Sequence, residues 1–407
     1  MRSSKSSFIN FLVVFLLGFC VFLYLIISIR FSIFTKDCET SKSPGDMMLN
    51  GVKMSDLKNM PFLPILPLQD PPDDRKTLQF PMFTFSQERG IGQMLFELSS
   101  LFGISDQLER VPVLNPMKDG KIVDRMNSMI RGDFPMFAEK FEERGMMVSD
   151  AFSVNFNIRK CCVHENPAQL SSLIQKHVLL NGVYFQSFKY FDHLKTEIRE
   201  LLTPKSSSFI RSEAIVPDEF RRDFLVCVHT KQSVNRDMEI SKPSDPIFTR
   251  SATDYLVGKY QSLGNSVAVA VFGNDPVWAH DLFFDKIGKS NIFPDPNSNL
   301  LKQSGSSPNY TAILTPSLSA SDDLAFSRKF CDVVFLSAPT SAFGWWMGYL
   351  AKENAVIYYR DPLETPDQIV AEMKQEDYFP PDWLKLTSGE LKLSGNPTHG
   401  KEISLVQ

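Results

Sequence analysis

The stretch Asp223–Asp237 reads D-F-L-V-C-V-H-T-K-Q-S-V-N-R-D. Phe224 to Val228 are all apolar, and a His, a Lys, an Arg and an Asp follow before the stretch ends. That is the pattern of a buried strand delivering polar side chains at its end. The following residues continue the alternation. Ser251–Leu263 has helical spacing, and V-A-V-A-V-F, Val267–Phe272, has a β-branched residue at every other position. Gly273-Asn274-Asp275-Pro276 turns the chain into a helix over Trp278–Ile287. Helices at Ser321–Phe330 and Ser341–Lys352 alternate with strands at Asp332–Leu336 and Ala355–Tyr359. Strands alternating with helices of about ten residues predict right-handed βαβ units and a parallel α/β sheet. Such a sheet takes ligands at the carboxyl ends of its strands. The polar residues after Val228, Phe272 and Leu336 would then share one edge.

The preceding part of the body reads less regularly. Met82–Phe85 is a strand candidate. Arg89-Gly90-Ile91-Gly92 is a turn into a helix carrying Leu95, Leu98, Leu101 and Phe102, which Gly103 should end. Further helices are expected over Pro167–Leu180 and Phe191–Leu202.

The chain has 407 residues, a net charge of −4 and 34 Phe. No global basic field draws it to nucleic acid. Part of the Phe excess lies in Phe8–Ile29, an uncharged run of about 22 residues, long enough to cross a bilayer as a helix. A cleaved signal peptide fits less well, because its apolar region is usually about 7–15 residues and ends at a small-x-small site. Arg2 and Lys5 before the span, with a long chain after it, predict a cytosolic N-terminus and a lumenal body. The expected layout is a tail over 1–7, an anchor over 8–29 and a Pro-rich stem over 30–80. An N-terminal lobe over 81–220, a C-terminal lobe over 221–390 and a tail over 391–407 follow. Cys227 and Cys331 sit in apolar runs and read as buried thiols. Cys38, Cys161 and Cys162 are candidates for disulfides in an oxidising lumen, with partners unassigned. Asn309-Tyr310-Thr311 is a glycosylation acceptor in a polar stretch.

Several residues suit an anion. His229 and Lys231 leave the strand end near the crevice, where Lys holds phosphate as a point charge; the bland alternative is a solvated loop. Gly90 and Gly92 precede a helix whose N-terminus favours anions, although a plain turn has the same composition. Thr340 or Ser341 should cap the helix beginning near Ala342. Asp322 and Asp323 are either N-caps of the preceding helix or, for one of them, a contact to a sugar or base. Phe343, Trp345 and Trp346 follow the cap, and at least one Trp reads as core. No D-x-D motif between strand residues and no helically spaced His pair is present, so metal binding is not expected.

Three blocks, in order, resemble glycosyltransferase family 11, the α-1,2-fucosyltransferases, and especially its nematode branch. R-G-I-G-Q-M-L-F-E-L-S-S-L-F-G-I-S, Arg89–Ser105, is similar to the family's G-x-G-N-Q block. F-L-V-C-V-H-T-K-Q is similar to its H-x-R-R-x-D block, and Asp322–Ala351, containing S-A-F-G-W-W, to its C-terminal block. V-A-V-F-G-N-D-P-V-W also resembles the family. The likeness runs roughly from Phe83 to Leu386 and implies a two-lobed GT-B-like fold that works without metal. It implies GDP-fucose bound in the C-terminal lobe and inverting transfer of fucose to the 2-hydroxyl of a terminal galactose. It further implies a donor site of His229, Lys231, Gly90, Gly92, Gln93, Asp323, Ser341 and Phe343, and a body held in the Golgi lumen. The blocks also depart from the family. Lys231 and Gln232 stand where it has two Arg, Val234 stands at its Asp, and Gln93 and Met94 stand at its Asn-Gln. A second expectation is therefore a family member with weakened or lost turnover that acts as a glycan- or partner-binding protein.

Overall fold

The computed structural model describes residues 48–49, 52–53, 74–86, 90–116, 120–145, 150–158, 161–232, 242–287, 308–316 and 319–394. The expected membrane span at 8–29 lies outside them. Among the described residues no helix is long and apolar enough to cross a membrane. Met48–Leu49 and Val52–Lys53 form a two-residue antiparallel ladder. From Asp74 onward the chain builds one compact unit containing two parallel α/β sheets.

The first sheet consists of β1 (Thr77–Gln79), β2 (Val111–Leu114), β3 (Glu142–Glu143), β4 (Phe152–Asn155) and β5 (His177–Asn181). Its order is β3-β2-β1-β5-β4, with every pair parallel. Helix α1 (Ile91–Gln107) covers it, and α2 (Lys195–Leu201) and α3 (Ser206–Ile215) lead toward the second sheet. Three expectations fail here. Met82–Phe85 is not a strand, because Phe83–Ser86 is a helical turn whose Phe83 and Thr84 amides donate to the Glu97 carboxylate. Gly103 does not end α1. The backbone of Tyr190 and Phe191 passes so close that the position needs a residue without Cβ, so this glycine marks a contact. Pro167–Leu180 is not a helix; a single turn at Pro167–Leu170 is followed by strand β5. Short apolar runs in a buried parallel sheet carry no periodicity that separates them from helix.

The second sheet contains the four expected strands, within a few residues, and two further edge-side strands, Thr311–Leu314 and Leu384–Leu386, that were not expected. Its strands are β6 (Phe224–His229), β7 (Val267–Phe272), β8 (Thr311–Leu314), β9 (Val333–Leu336), β10 (Val356–Arg360) and β11 (Leu384–Leu386). They are ordered β8-β7-β6-β9-β10-β11, all parallel. All six residues of β7 are buried. In β6, Leu225 and Cys227 pack into one apolar cluster and Val226 and Val228 into another, the period-two signature of a sheet covered on both faces. Helix α4 (Pro246–Ser262) covers one face, starting at an Asp245 cap that accepts from Phe248 N at 2.7 Å, with Pro246 in the first turn. Asp275 and Pro276 start α5 (Pro276–Phe283) in the same way. A Ser319–Asp322 capping box starts α6 (Ala320–Phe330).

Helix α7 (Ala342–Tyr349) joins the two lobes. It is apolar all round because it is covered on every side. Trp345 and Trp346 are both fully buried, so both are core. Their indole N–H groups donate to Tyr378 O at 2.8 Å and to Gly92 O at 2.9 Å. The rings pack with Phe96, Phe191, Tyr349 and Tyr378. Arg199 of α2 donates to the carbonyls of Tyr349 and Ala351, filling the free acceptors at the helix C-terminus. Asp322 accepts from Arg211 Nη2 and Nε, at 2.6 and 2.9 Å.

The cysteines correct the reading of buried thiols: Cys227 and Cys331 form a disulfide. Cys161 and Cys162 are joined to each other.

Candidate active site

Strand order reverses direction between β6 and β9, so the crevice of the second sheet opens where these two strands end. His229 ends β6, and Ser337–Ser341 follow β9. The structure brings His229, Ser341 and Phe343 together there. The His229 ring lies against Gly344, where a Cβ would stand 2.5 Å from Nδ1. Its centroid is 6.0 Å from that of Phe343. The side chain of Ser341 caps α7 by accepting from Gly344 N at 3.3 Å.

His229 is 4 % exposed, and its Nδ1 has no hydrogen-bond partner among the described residues. Burial, reinforced by the positive charge of Lys231, pushes its pKa down to about 3. The imidazole is therefore neutral at physiological pH, and the cation at this corner is Lys231.

The residues immediately after His229 form a braced corner. Lys231 N donates to Ser244 Oγ at 3.0 Å and Lys231 O accepts from Ser244 N at 2.8 Å. Gln232 Nε2 donates to Ser244 O at 3.1 Å, and Gln232 exchanges two bonds of 2.7 Å with the Asn274 side chain. Gln232, standing at the family's second Arg, thus serves the scaffold. Thr230 Oγ1 donates to Phe272 O at 2.9 Å. Only glycine fits at Gly273, because a Cβ would meet Thr230 Oγ1 at 2.2 Å. Arg89, Val234, Arg236 and Asp237 lie outside the described residues.

The Gly-x-Gly pair stands at the N-terminus of α1. A Cβ on Gly92 would meet Phe343 N at 2.5 Å and the Ala342 carbonyl carbon at 2.6 Å. Gly92 is thus a contact between the N-termini of α1 and α7, which brings the carboxyl edges of both sheets to one place. Gly90 is exposed, and the half-buried Gln93 sits close over it, its Oε1 3.2 Å from where a Cβ would stand.

Asp322 is committed to its cap and to Arg211. Asp323 is different. It lies one helical turn before Ser327, whose hydroxyl donates to Met347 O of α7. Burial, and then the neighbouring Asp322 charge, raise its pKa to about 7. Asn309 is exposed just before edge strand β8, and its carbonyl accepts from Gln261.

Ser244, Asn274 and Gly344 were not anticipated. Gly344 carried a signal: a glycine inside an apolar helix is unfavourable by about 1 kcal/mol and marks a close approach. Ser244 and Asn274 are ordinary loop residues until the fold places them against Lys231 and Gln232.

An open parallel α/β sheet with a polar crevice at its switch point belongs to the class of folds that bind ligands at strand carboxyl ends. No protein-family model matches the chain. It is 41% identical over 317 residues to a galactoside 2-alpha-L-fucosyltransferase of Caenorhabditis elegans, covering 77% of this chain and 78% of the relative. It is 31% identical over 316 residues to a second galactoside 2-alpha-L-fucosyltransferase of that organism, covering 77% and 81%. The chain belongs to the galactoside 2-alpha-L-fucosyltransferase family and is a glycosyltransferase. Among solved structures it is similar to POFUT1 in its apo form, with TM-score 0.37 and 11% identity over 69% of this chain and 96% of that one. It is also similar to NodZ alpha-1,6-fucosyltransferase soaked with GDP-fucose, with TM-score 0.36 and 14% identity over 68% and 93%. Both likenesses are too distant to support the assignment.

Proposed function

We propose that this fucosyltransferase moves L-fucose from GDP-fucose to the 2-hydroxyl of a terminal galactose on a glycan, with inversion and without a metal. The observation that carries the reading is the braced corner at the switch point, where Lys231 and the neutral His229 stand beside the Ser341-capped start of α7, in a chain of this family. The acceptor oxygen attacks the fucose anomeric carbon from the face opposite the diphosphate. The bond to the diphosphate oxygen breaks, GDP leaves, and the hydroxyl proton passes to a base. Negative charge grows on the departing diphosphate while the sugar becomes oxocarbenium-like, so a fixed cation and free helix N–H groups at that oxygen lower the barrier. In this reading Lys231 holds the diphosphate, His229 donates or accepts one hydrogen bond, Phe343 packs on the donor, and Asp323 faces its sugar or base. Residues 8–29 anchor the protein as a single-pass type II Golgi protein. The two disulfides and the exposed Asn309 sequon support an oxidising, lumenal setting for the body.

A second reading rests on Gln232. Its side-chain amide donates to Ser244 O while its backbone is held by Asn274, so among the described residues the corner has one cation, Lys231, and no bidentate fork. A member weakened in this way would bind donor or glycan without efficient turnover. Incubating the full chain with GDP-fucose and a panel of β-galactosides separates the readings. Acceptor-dependent release of GDP supports transfer, whereas thermal protection by GDP without release supports the binding protein. Neither effect at millimolar GDP would sink both.

A further inference from the structure

Asp367 lies outside every motif described above, yet its carboxylate ties together the two chain segments that flank the switch point. Oδ2 accepts from Thr340 Oγ1 at 3.0 Å and from the backbone N–H of Lys242 at 3.0 Å. Oδ1 accepts from Val370 N at 2.8 Å and so caps the short helix Gln368–Glu372. Each bond is to a carboxylate, which makes it stronger than a neutral hydrogen bond.

The two Oδ2 contacts have different consequences. Thr340 immediately precedes Ser341, the cap of α7, so fixing its hydroxyl fixes the corner at which the helix N-terminus is presented. Lys242 lies two residues before Ser244, which holds Lys231 by bonds to both its N–H and its carbonyl. One oxygen atom therefore sets the spacing between the segment carrying the cation and the segment carrying the helix end. Both are sources of positive potential at the crevice. A displacement of about 1 Å between such groups weakens a charge-assisted contact to a bound anion substantially.

We propose that Asp367 is a positioning residue for the donor site, holding the Thr340–Ser341 corner and the Lys231 rung in the spacing that receives a nucleoside diphosphate. The assignment rests on the donor-site reading given under Proposed function.

The test compares GDP affinity by calorimetry and steady-state kinetics with GDP-fucose for the full chain, its Asp367→Ala, Asp367→Asn and Thr340→Val variants, and the Asp367→Ala/Thr340→Val double variant. Asp367→Ala should raise the Kd for GDP about tenfold and lower kcat/KM for GDP-fucose by at least as much, because the groups it positions also stabilise the departing diphosphate. Thr340→Val should shift each in the direction that Asp367→Ala does. The double variant should be no weaker than Asp367→Ala alone, because both changes cut one link. Asp367→Asn should recover most of the affinity, since its amide oxygen still accepts from Thr340 and Lys242 and only the Val370 bond is lost. If Asp367→Ala does not fold, Thr340→Val carries the test alone. Wild-type GDP binding with unchanged affinity in Thr340→Val and Asp367→Ala would overturn the proposal, as would an additive double variant. Absence of GDP binding by the wild-type chain would overturn the donor-site reading and this proposal with it.

Discussion

Gly92 of α1 touches the backbone of Phe343 in α7 so closely that a Cβ on it would lie 2.5 Å from Phe343 N. The obstructing atoms are main chain on both sides, so neither helix can yield by rotating a side chain. Gly92→Ala should destabilise the protein by at least about 2 kcal/mol through forced separation of the helices. It should also strain the bond from Trp346 to Gly92 O. Urea unfolding of the two proteins measures this; an unchanged midpoint would show that the helices are not packed as described.

His229 and Asp323 should pull the pH dependence of stability in opposite directions. The folded pKa of His229 lies at about 3, below its ordinary value of 6.5. Its contribution is present above that ordinary value and is lost as pH falls toward the folded one, because only the unfolded chain takes up the proton. The folded pKa of Asp323 lies at about 7, above its ordinary 3.8. Its contribution is present in acid and is lost as pH rises through the folded value. Between these limits the two effects offset each other. His229→Gln should therefore yield a protein that gains stability from pH 7 down to pH 4.5, and Asp323→Asn one that loses it. Parallel slopes in the two variants would contradict both environments.

The disulfide between Cys227 and Cys331 links residues 104 apart in sequence. Cys227→Ser with Cys331→Ser should lower stability by about 2–4 kcal/mol, mainly because the unfolded chain regains freedom. Comparison of unfolding midpoints, together with mass mapping of the linked peptides, checks it. Free thiols at both positions in the purified protein would rule the bond out.

Lys231 is the cation of the corner in the donor-site reading. Lys231→Ala should weaken GDP binding by roughly 10- to 150-fold, the range expected for losing a hydrogen bond to a charged group. Lys231→Arg should retain most of it. Equal affinity in wild type and Lys231→Ala would remove the diphosphate from this corner.

The four central strands of the second sheet were legible in the sequence because they are buried on both faces, whereas the partly buried edge strands Thr311–Leu314 and Leu384–Leu386 were not. Val267–Phe272 must then be apolar throughout, while the helices after β6 and β7 begin earlier than expected, at Asp245-Pro246 and Asp275-Pro276. The first sheet was less legible. His177–Asn181 is too short to display a period, and the apolar residues before it fall by chance at helical spacing. At the site, His229 and Ser341 could be found because strand ends and helix caps are local features. The work of Gly92, Gly344, Ser244 and Asp367 could not, since each acts on a partner distant in sequence. The pairing of Cys227 with Cys331 was hidden for the same reason, because two thiols in apolar runs look alike whether bonded or free.

The most direct test is the structure of the product formed when the full chain is given GDP-fucose and a terminal β-galactoside. Nuclear magnetic resonance of that product should show fucose α-linked to the galactose 2-hydroxyl, formed in step with GDP release. Fucose at another hydroxyl, or GDP bound tightly with no fucosylated product from any galactoside, would contradict the account.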